Sequence, residues 1–232
     1  QSANVIVDDF IAPVCHEHIK IIYQDDDILL INKPSGLLSL SGKNPLNWDS
    51  VHYRLVNGQQ GDTAAFPTAI LPHRLDLGTS GVMVVALNEQ AAKALNQQFQ
   101  SRSVKKQYRA MLFGLVAESQ GEITAPIAKD KMLFPKVKIC HHSGKPAQTE
   151  FKVVKRFHKE QKTLVEFTPI TGRTHQLRIH SLILGHPILG CDLYKNDCSE
   201  QGAQRLLLHA SDLFFVHPCT DKPMHGHATT PF

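Results

Sequence analysis

Apolar residues in this chain come mostly in short runs cut by polar turn residues. Residues 19–23 and 28–32 are two such runs, parted by Gln24-Asp25-Asp26-Asp27, and they predict a β-hairpin. Lys33-Pro34-Ser35-Gly36 ends the second strand, because proline removes a ladder donor and glycine allows a tight turn. Val82-Met83-Val84-Val85-Ala86-Leu87 is a continuous β-branched run and reads as a buried strand. Asn88 then caps a helix to about residue 101, with Ala91, Leu95 and Phe99 on its inner face. A strand is expected over 108–116, and two antiparallel strands over 148–157 and 162–167. A helix that Thr174 could cap runs to Gly185. Segments 206–210 and 213–217 predict a strand pair, and the turn at 220–222 allows one last strand. A short helix at 51–56 interrupts a long loop at 41–72, and 117–146 reads as loop and short strand.

Strands outnumber helices, and most neighbours could be joined as hairpins. The pattern therefore predicts an α+β fold: a mixed, mainly antiparallel central β-sheet flanked by helices and loops, with a cleft. No proline- or serine-rich linker divides the chain. Residues 1–18 are expected to form an N-terminal arm, and 19–232 a single catalytic domain.

Composition narrows the class only a little. The chain has 232 residues, 25 basic and 21 acidic, for a net charge of +4. That is too mild to argue for a polyanion partner unless the cations share one face. No run is long enough to span a bilayer and no secretory signal is visible, so a cytoplasmic protein with no membrane partner is expected. The five cysteines are odd in number and none are spaced as CxxC, which fits a reducing compartment. His141-His142 and His217, His225 and His227 lack a regular ligand spacing. They are expected on loops or the sheet surface, with no metal site.

Three constellations could carry chemistry. The first is His73-Arg74-Leu75-Asp76-Leu77-Gly78-Thr79-Ser80-Gly81, a loop feeding the buried strand. It places a carboxylate and a guanidinium at the lip of a packed sheet, where Asp76 could be a nucleophile, an acid or base, or half of an ion pair. The second is Thr171 to His180, with Arg173, His175, Arg178 and His180 around a helix start. Arg173 beside a positive helix end suggests an anionic ligand, and Arg178 would suit the Asp76 carboxylate. The third is Arg102, Lys105, Lys106, Tyr108 and Arg109: cations for phosphates beside a ring for a base, or else a solvated turn. Walker, dinucleotide, GxSxG and HExxH motifs are absent.

Taken together, these residues resemble the RluA family of pseudouridine synthases. His73-Arg74-Leu75-Asp76 with Thr79-Ser80-Gly81 is similar to its HRLDxxTSG motif. Asn32-Lys33-Pro34-Ser35-Gly36-Leu37 resembles its NKPxGL segment, and Lys105-Lys106-Gln107-Tyr108 its KxY segment. Thr171 to His180, His186-Pro187-Ile188-Leu189-Gly190 and Leu206-Leu207-Leu208-His209-Ala210 resemble the late blocks. The motifs fall in the family's order and cover most of the chain.

The resemblance implies isomerisation of uridine to pseudouridine within RNA, with no metal or organic cofactor. It makes Asp76 the catalytic aspartate, sets Tyr108 against the uracil ring and pairs Arg178 with Asp76. Arg74 would hold the displaced nucleotide or fill its place. Arg102, Lys105, Lys106 and Arg173 are expected on phosphates. The compact arrangement, without an S4-type RNA-binding domain, looks closest to members acting on both large-subunit (23S) rRNA and the tRNA anticodon stem-loop. A tRNA-only synthase and a non-catalytic RNA-binding or ribosome-assembly protein are the alternatives. A monomer is expected.

Overall fold

The computed structural model describes residues 10–59, 64–130, 132, 136–195, 199 and 202–232. Among these residues, eleven strands and three α-helices follow one another as β1 (Lys20–Gln24), β2 (Ile28–Lys33), α1 (Val51–Asn57), β3 (Ser80–Ala86), α2 (Glu89–Gln100), β4 (Lys105–Phe113), β5 (Gln120–Thr124), β6 (Ile127–Lys129), β7 (Val137–Ile139), β8 (Gln148–Phe157), β9 (Lys162–Pro169), α3 (Gln176–Ile183), β10 (Leu208–Val216) and β11 (Pro223–His227). A 3-10 turn at Pro45–Asn47 precedes α1. Nine strands form one sheet in the order β1-β2-β3-β10-β4-β9-β8-β5, with β11 paired to β10, while β6 and β7 form a separate hairpin. Every described pairing between named strands is antiparallel except β3 with β10, which is parallel. The mixed, mainly antiparallel α+β class read from the sequence is the observed one.

Three apolar clusters hold the sheet. Strand alternation sends Ile28 and Leu30 of β2, with Val82 and Val84 of β3, under α2, where they meet Ala91 and Leu95. The opposite faces, Leu29, Ile31, Met83 and Val85, pack on α1 and on Leu75. The third cluster joins β4, β8 and β9 to α3 through Leu112, Phe151, Val165, Phe167, Leu177 and Ile179.

The parallel pair is the centre of the sheet and is brief: only Ser80 with His209 and Gly81 with Ala210 are in register. The backbones come so close that a side chain at Gly81 would meet the Ala210 carbonyl, and its φ of +128° is one that glycine adopts without penalty. Ser80 Oγ accepts from Arg205 (2.8 Å) and donates to buried His209 Nδ1 (2.7 Å). The other ring nitrogen, Nε2, donates to the Ala228 carbonyl (2.9 Å).

Several expected boundaries move. The strand read from Tyr108 begins at Lys105, so Lys105 and Lys106 lie within the sheet with Arg109, and only Arg102 of the basic run precedes it. The two strands expected at 206–210 and 213–217 are one strand, β10. A register shift between Ala210 and Asp212 re-aims it, and that bulge breaks the alternation one would read as a turn. Thr174 does not cap α3; that position falls to His175, which is left-handed at φ 52° and makes no side-chain cap bond. Asn88 caps α2 as expected, accepting from the Ala91 N–H at 2.8 Å. Part of the expected arm, residues 1–9, lies outside the described residues.

Candidate active site

Residues 73–79 form the loop that delivers the chain into β3, and the loop after β2 grips them. Ser39 Oγ accepts from the Leu75 N–H (3.0 Å) and donates to the Leu75 carbonyl (2.6 Å). Ser35 Oγ donates to the Gly78 carbonyl (2.7 Å), and the Gly36 N–H to that of Leu77 (2.8 Å). Lys33 is fully buried, and its ammonium donates to the carbonyls of Leu37 (2.6 Å), Pro34 (2.9 Å) and Leu77 (3.2 Å). Burial pulls its pKa down to about 7 against the attraction of Cys15 and Asp76. The Thr79 N–H closes the turn on the Asp76 carbonyl (3.0 Å). The backbone is thus fixed while the Asp76 side chain stays 45% exposed.

His73 begins the same loop. Its Nε2 accepts from the Val84 N–H (3.0 Å), substituting for a ladder partner where β3 has left β10. The ring stacks on Phe99 at 4.5 Å and 18°. Burial and the nearby Lys106 charge lower its pKa to about 3, so it stays neutral. Arg74 next to it is exposed, at the rim of the cleft.

The facing wall comes from α3. Gln176 is buried, and its Oε1 accepts from Thr171 Oγ1 (2.6 Å) and from the Arg173 N–H (3.0 Å). Its Nε2 donates to the Gln148 carbonyl and to Thr149 Oγ1, both at 2.9 Å. This side chain ties the start of α3 to β8, and it caps no N–H of the helix. Beside it, the buried Tyr194 hydroxyl accepts from the Val137 N–H (2.7 Å) and lies 2.9 Å from His175 Nδ1. Burial and Arg178 lower the His175 pKa.

Arg178 projects from this frame toward Asp76. Its Nη1 lies 3.7 Å from Asp76 Oδ2, while Nη2 donates to Asp192 Oδ1 at 3.1 Å. The guanidinium also sits over the Tyr194 ring, 5.6 Å from its centroid. Burial opposes its charge, but Cys191 and the carboxylates of Asp76 and Asp192 outweigh that and raise its pKa. Among the described residues its buried Nε has no hydrogen-bond partner within ordinary distance, beyond the nearby Cys191 that supports its charge. Tyr108, half-buried on β4, lines the space between the walls. Burial, and then Asp76, push its phenol pKa up, so it remains protonated.

The cleft so formed has a volume of about 610 Å³, the size of pocket that takes a small organic group. Arg74, Lys106, Arg173 and Arg178 line it, with Asp76 as the sole carboxylate of the lining among the described residues. A modest net charge is therefore concentrated at one opening. Arg173 is tethered there by donating from Nε to the Pro146 carbonyl (2.9 Å). The other three cations of the basic run are elsewhere, Arg109 in an ion pair with Glu166 at 3.0 Å. Lys105 lies on the opposite face of β4 from Lys106, over the Phe214 ring at 5.8 Å. Arg102 sits in the exposed turn after α2.

Sequence reasoning brought Asp76, Tyr108 and Arg178 together but overlooked Lys33, Gln176, Tyr194 and Asp192. Lys33 and Gln176 stood inside quoted motifs, and a lysine ahead of Pro-Ser-Gly had no visible exposed role. Asp192 and Tyr194 carried no local pattern.

The family model for RNA pseudouridylate synthase matches residues 27–182. The chain is 46% identical over 205 residues to the dual-specificity RNA pseudouridine synthase RluA of Yersinia pestis, covering 88% of this chain and 96% of that protein. It is 45% identical over 212 residues to the same-named protein of Escherichia coli K12, covering 91% and 93%. Among solved structures it resembles human RNA pseudouridylate synthase domain containing 1, with a TM-score of 0.76 and 30% identity over 95% of this chain and 86% of that one.

Proposed function

The chain belongs to the RNA pseudouridylate synthase family, and from that premise we propose that it isomerises uridine to pseudouridine in both large-subunit rRNA and the tRNA anticodon stem-loop, with Asp76 as the catalytic group. The observation that supports this site is the convergence of Asp76, Tyr108 and Arg178 in one cation-rimmed cleft. The dual substrate rests on likeness to relatives named for dual specificity.

The chemistry is redox-neutral. The bond from uracil N1 to ribose C1′ breaks, C5 bonds to C1′, the C5 proton leaves and N1 gains one. Lifting a base from its stack costs a few kcal/mol, which contact with the Tyr108 ring offsets in part. The raised pKa of Tyr108 keeps its phenol neutral, so its role is that of a surface for the ring. Arg178 orients the Asp76 carboxylate, and Arg74 at the rim contacts the displaced strand. Lys106 and Arg173 take phosphates without reading sequence. Residues 19–232 act as one catalytic unit, and the protein works as a cytoplasmic monomer. Among the described residues no helix is long and apolar enough to cross a membrane.

Mapping pseudouridines in cells with and without the protein tests this. Loss of sites in both rRNA and tRNA is expected, restored by the wild-type gene and not by Asp76→Asn. Loss in tRNA alone narrows the substrate; loss in neither overturns the reading.

A further inference from the structure

His225 and His227 show no regular ligand spacing in sequence, and the β10–β11 hairpin brings them to Asp212. Asp212 and His227 are direct cross-strand partners, and His225 lies two residues before His227 on the same face. His225 Nε2 lies 2.6 Å from Asp212 Oδ2, and His227 Nδ1 lies 3.0 Å from the same oxygen. One ligand atom from each of the three falls within 4.8 Å of the others. The His225 ring is held by stacking on Phe214 at 4.3 Å and 11°. Beneath the hairpin, Met224 and Leu213 pack into the α2 cluster, so the strands carrying the three ligands are anchored from below.

We propose that Asp212, His225 and His227 form a binding site for one divalent transition-metal ion, zinc being its redox-inert representative. Two imidazoles and a carboxylate suit such an ion. With metal–ligand bonds of about 2.0–2.2 Å, neighbouring ligand atoms in a tetrahedral shell stand roughly 3.3 Å apart. The spacings here need only small side-chain rotations. The imidazoles are half exposed, with side-chain accessibilities of 50% and 55%, so the ion can enter and water can complete its shell. The site is on the face of β4 and β10 opposite Lys106 and Tyr108, so the ion takes no part in the isomerisation. Its effect is to cross-link β10 to β11.

A second cluster shows what a satisfied arrangement looks like. Buried His217 accepts at Nδ1 from the Cys219 and Thr220 N–H groups (3.1 and 3.2 Å) and donates from Nε2 to Asp25 (2.8 Å). Asp25 also accepts from Tyr23 and from the N–H groups of Asp27 and Ile28. An ion there would have to break these bonds. At Asp212 an ion would replace only the two imidazole–carboxylate contacts, both of which lie within the proposed ligand set.

The test is a Co²⁺ titration of the full chain without an affinity tag, followed by absorption and displaced by Zn²⁺. One saturable site is expected, without a thiolate charge-transfer band. His227→Ala and Asp212→Asn should each weaken it at least about tenfold, and His225→Ala/His227→Ala should abolish it. Tritium release from C5-labelled uridine RNA, unchanged in these variants, certifies their fold; His225→Gln replaces any variant that fails that check. No saturable binding, a thiolate band, or equal binding by the double variant overturns the proposal.

Discussion

On one side of the cleft Asp76 stands on a loop whose carbonyls are gripped by Lys33, Ser35 and Ser39. On the other, Arg178 stands on a helix, with a buried Nε that lacks a hydrogen-bond partner among the described residues and its nearer carboxylate, Asp192, 76% exposed. The first wall is fixed before any substrate arrives, because buried groups hold its backbone. The second is fixed only as far as the helix: Gln176 locks the frame, and the guanidinium is shared between Asp76 at 3.7 Å and Asp192 at 3.1 Å. A carboxylate needs a set position for chemistry at one atom. A cation with an unsatisfied donor has a reason to reorganise when a ligand offers an acceptor, since a buried unpaired donor costs roughly 1–3 kcal/mol. The contrast predicts that damage to the buried supports of the first wall acts through stability, and that damage to Asp76 or to the second wall acts through turnover.

The largest effect belongs to the exposed group on the rigid wall. Asp76→Asn keeps the shape and removes the charge, so tritium release should fall at least about a thousandfold, some 4 kcal/mol. RNA affinity, measured by filter binding, should change less than about threefold, because the rim cations remain. A variant retaining a tenth of wild-type turnover would remove Asp76 from the chemistry.

Arg178→Lys comes next. An ammonium cannot span two carboxylates as a guanidinium does, and it leaves the Tyr194 face bare. Turnover should drop about a hundredfold at unchanged melting temperature. Equal losses of turnover and stability would make Arg178 a part of the frame like Gln176.

Lys33→Met strikes the first wall from behind. Three carbonyls lose their donor, and stability should fall by about 2–4 kcal/mol. The pH dependence sharpens this. A folded pKa near 7 against an unfolded 10.5 means that the unfolded chain binds the extra proton between those values. Wild-type stability therefore gains a rising contribution from pH 7 toward 10.5, and the variant should lack it. Parallel stability curves for the two proteins would show that Lys33 keeps its proton across that window.

How far these features were legible in sequence follows from the same division. The hairpin of β1 and β2, the buried run of β3 and the Asn88 cap rest on local periodicity and capping chemistry, and they stand where the pattern placed them. Asp76, Tyr108 and Arg178 could be joined because each sat in a motif. What escaped was non-local. The bulge at Ser211 merged two expected strands, and the left-handed His175 took the cap position expected of Thr174. Lys33 looked like the end of a strand because nothing in its neighbours announces the Leu77 carbonyl 44 residues away. The histidines of β11 lacked a ligand spacing because the third group comes from across the hairpin.

The smallest effect tests the sharing of Arg178. Asp192 is exposed, and such pairs contribute about 0–1 kcal/mol in water. Asp192→Asn should therefore leave turnover within about twofold. Removing a negative charge beside the cation-lined cleft should also lower KM for RNA about two- to threefold at low salt. That gain should vanish as added salt shortens the reach of surface charges. The measurement is steady-state kinetics of the two proteins across an ionic-strength series. A salt-independent loss of tenfold or more would place Asp192 beside Arg178 in the working site, and the second wall would then be as firmly built as the first.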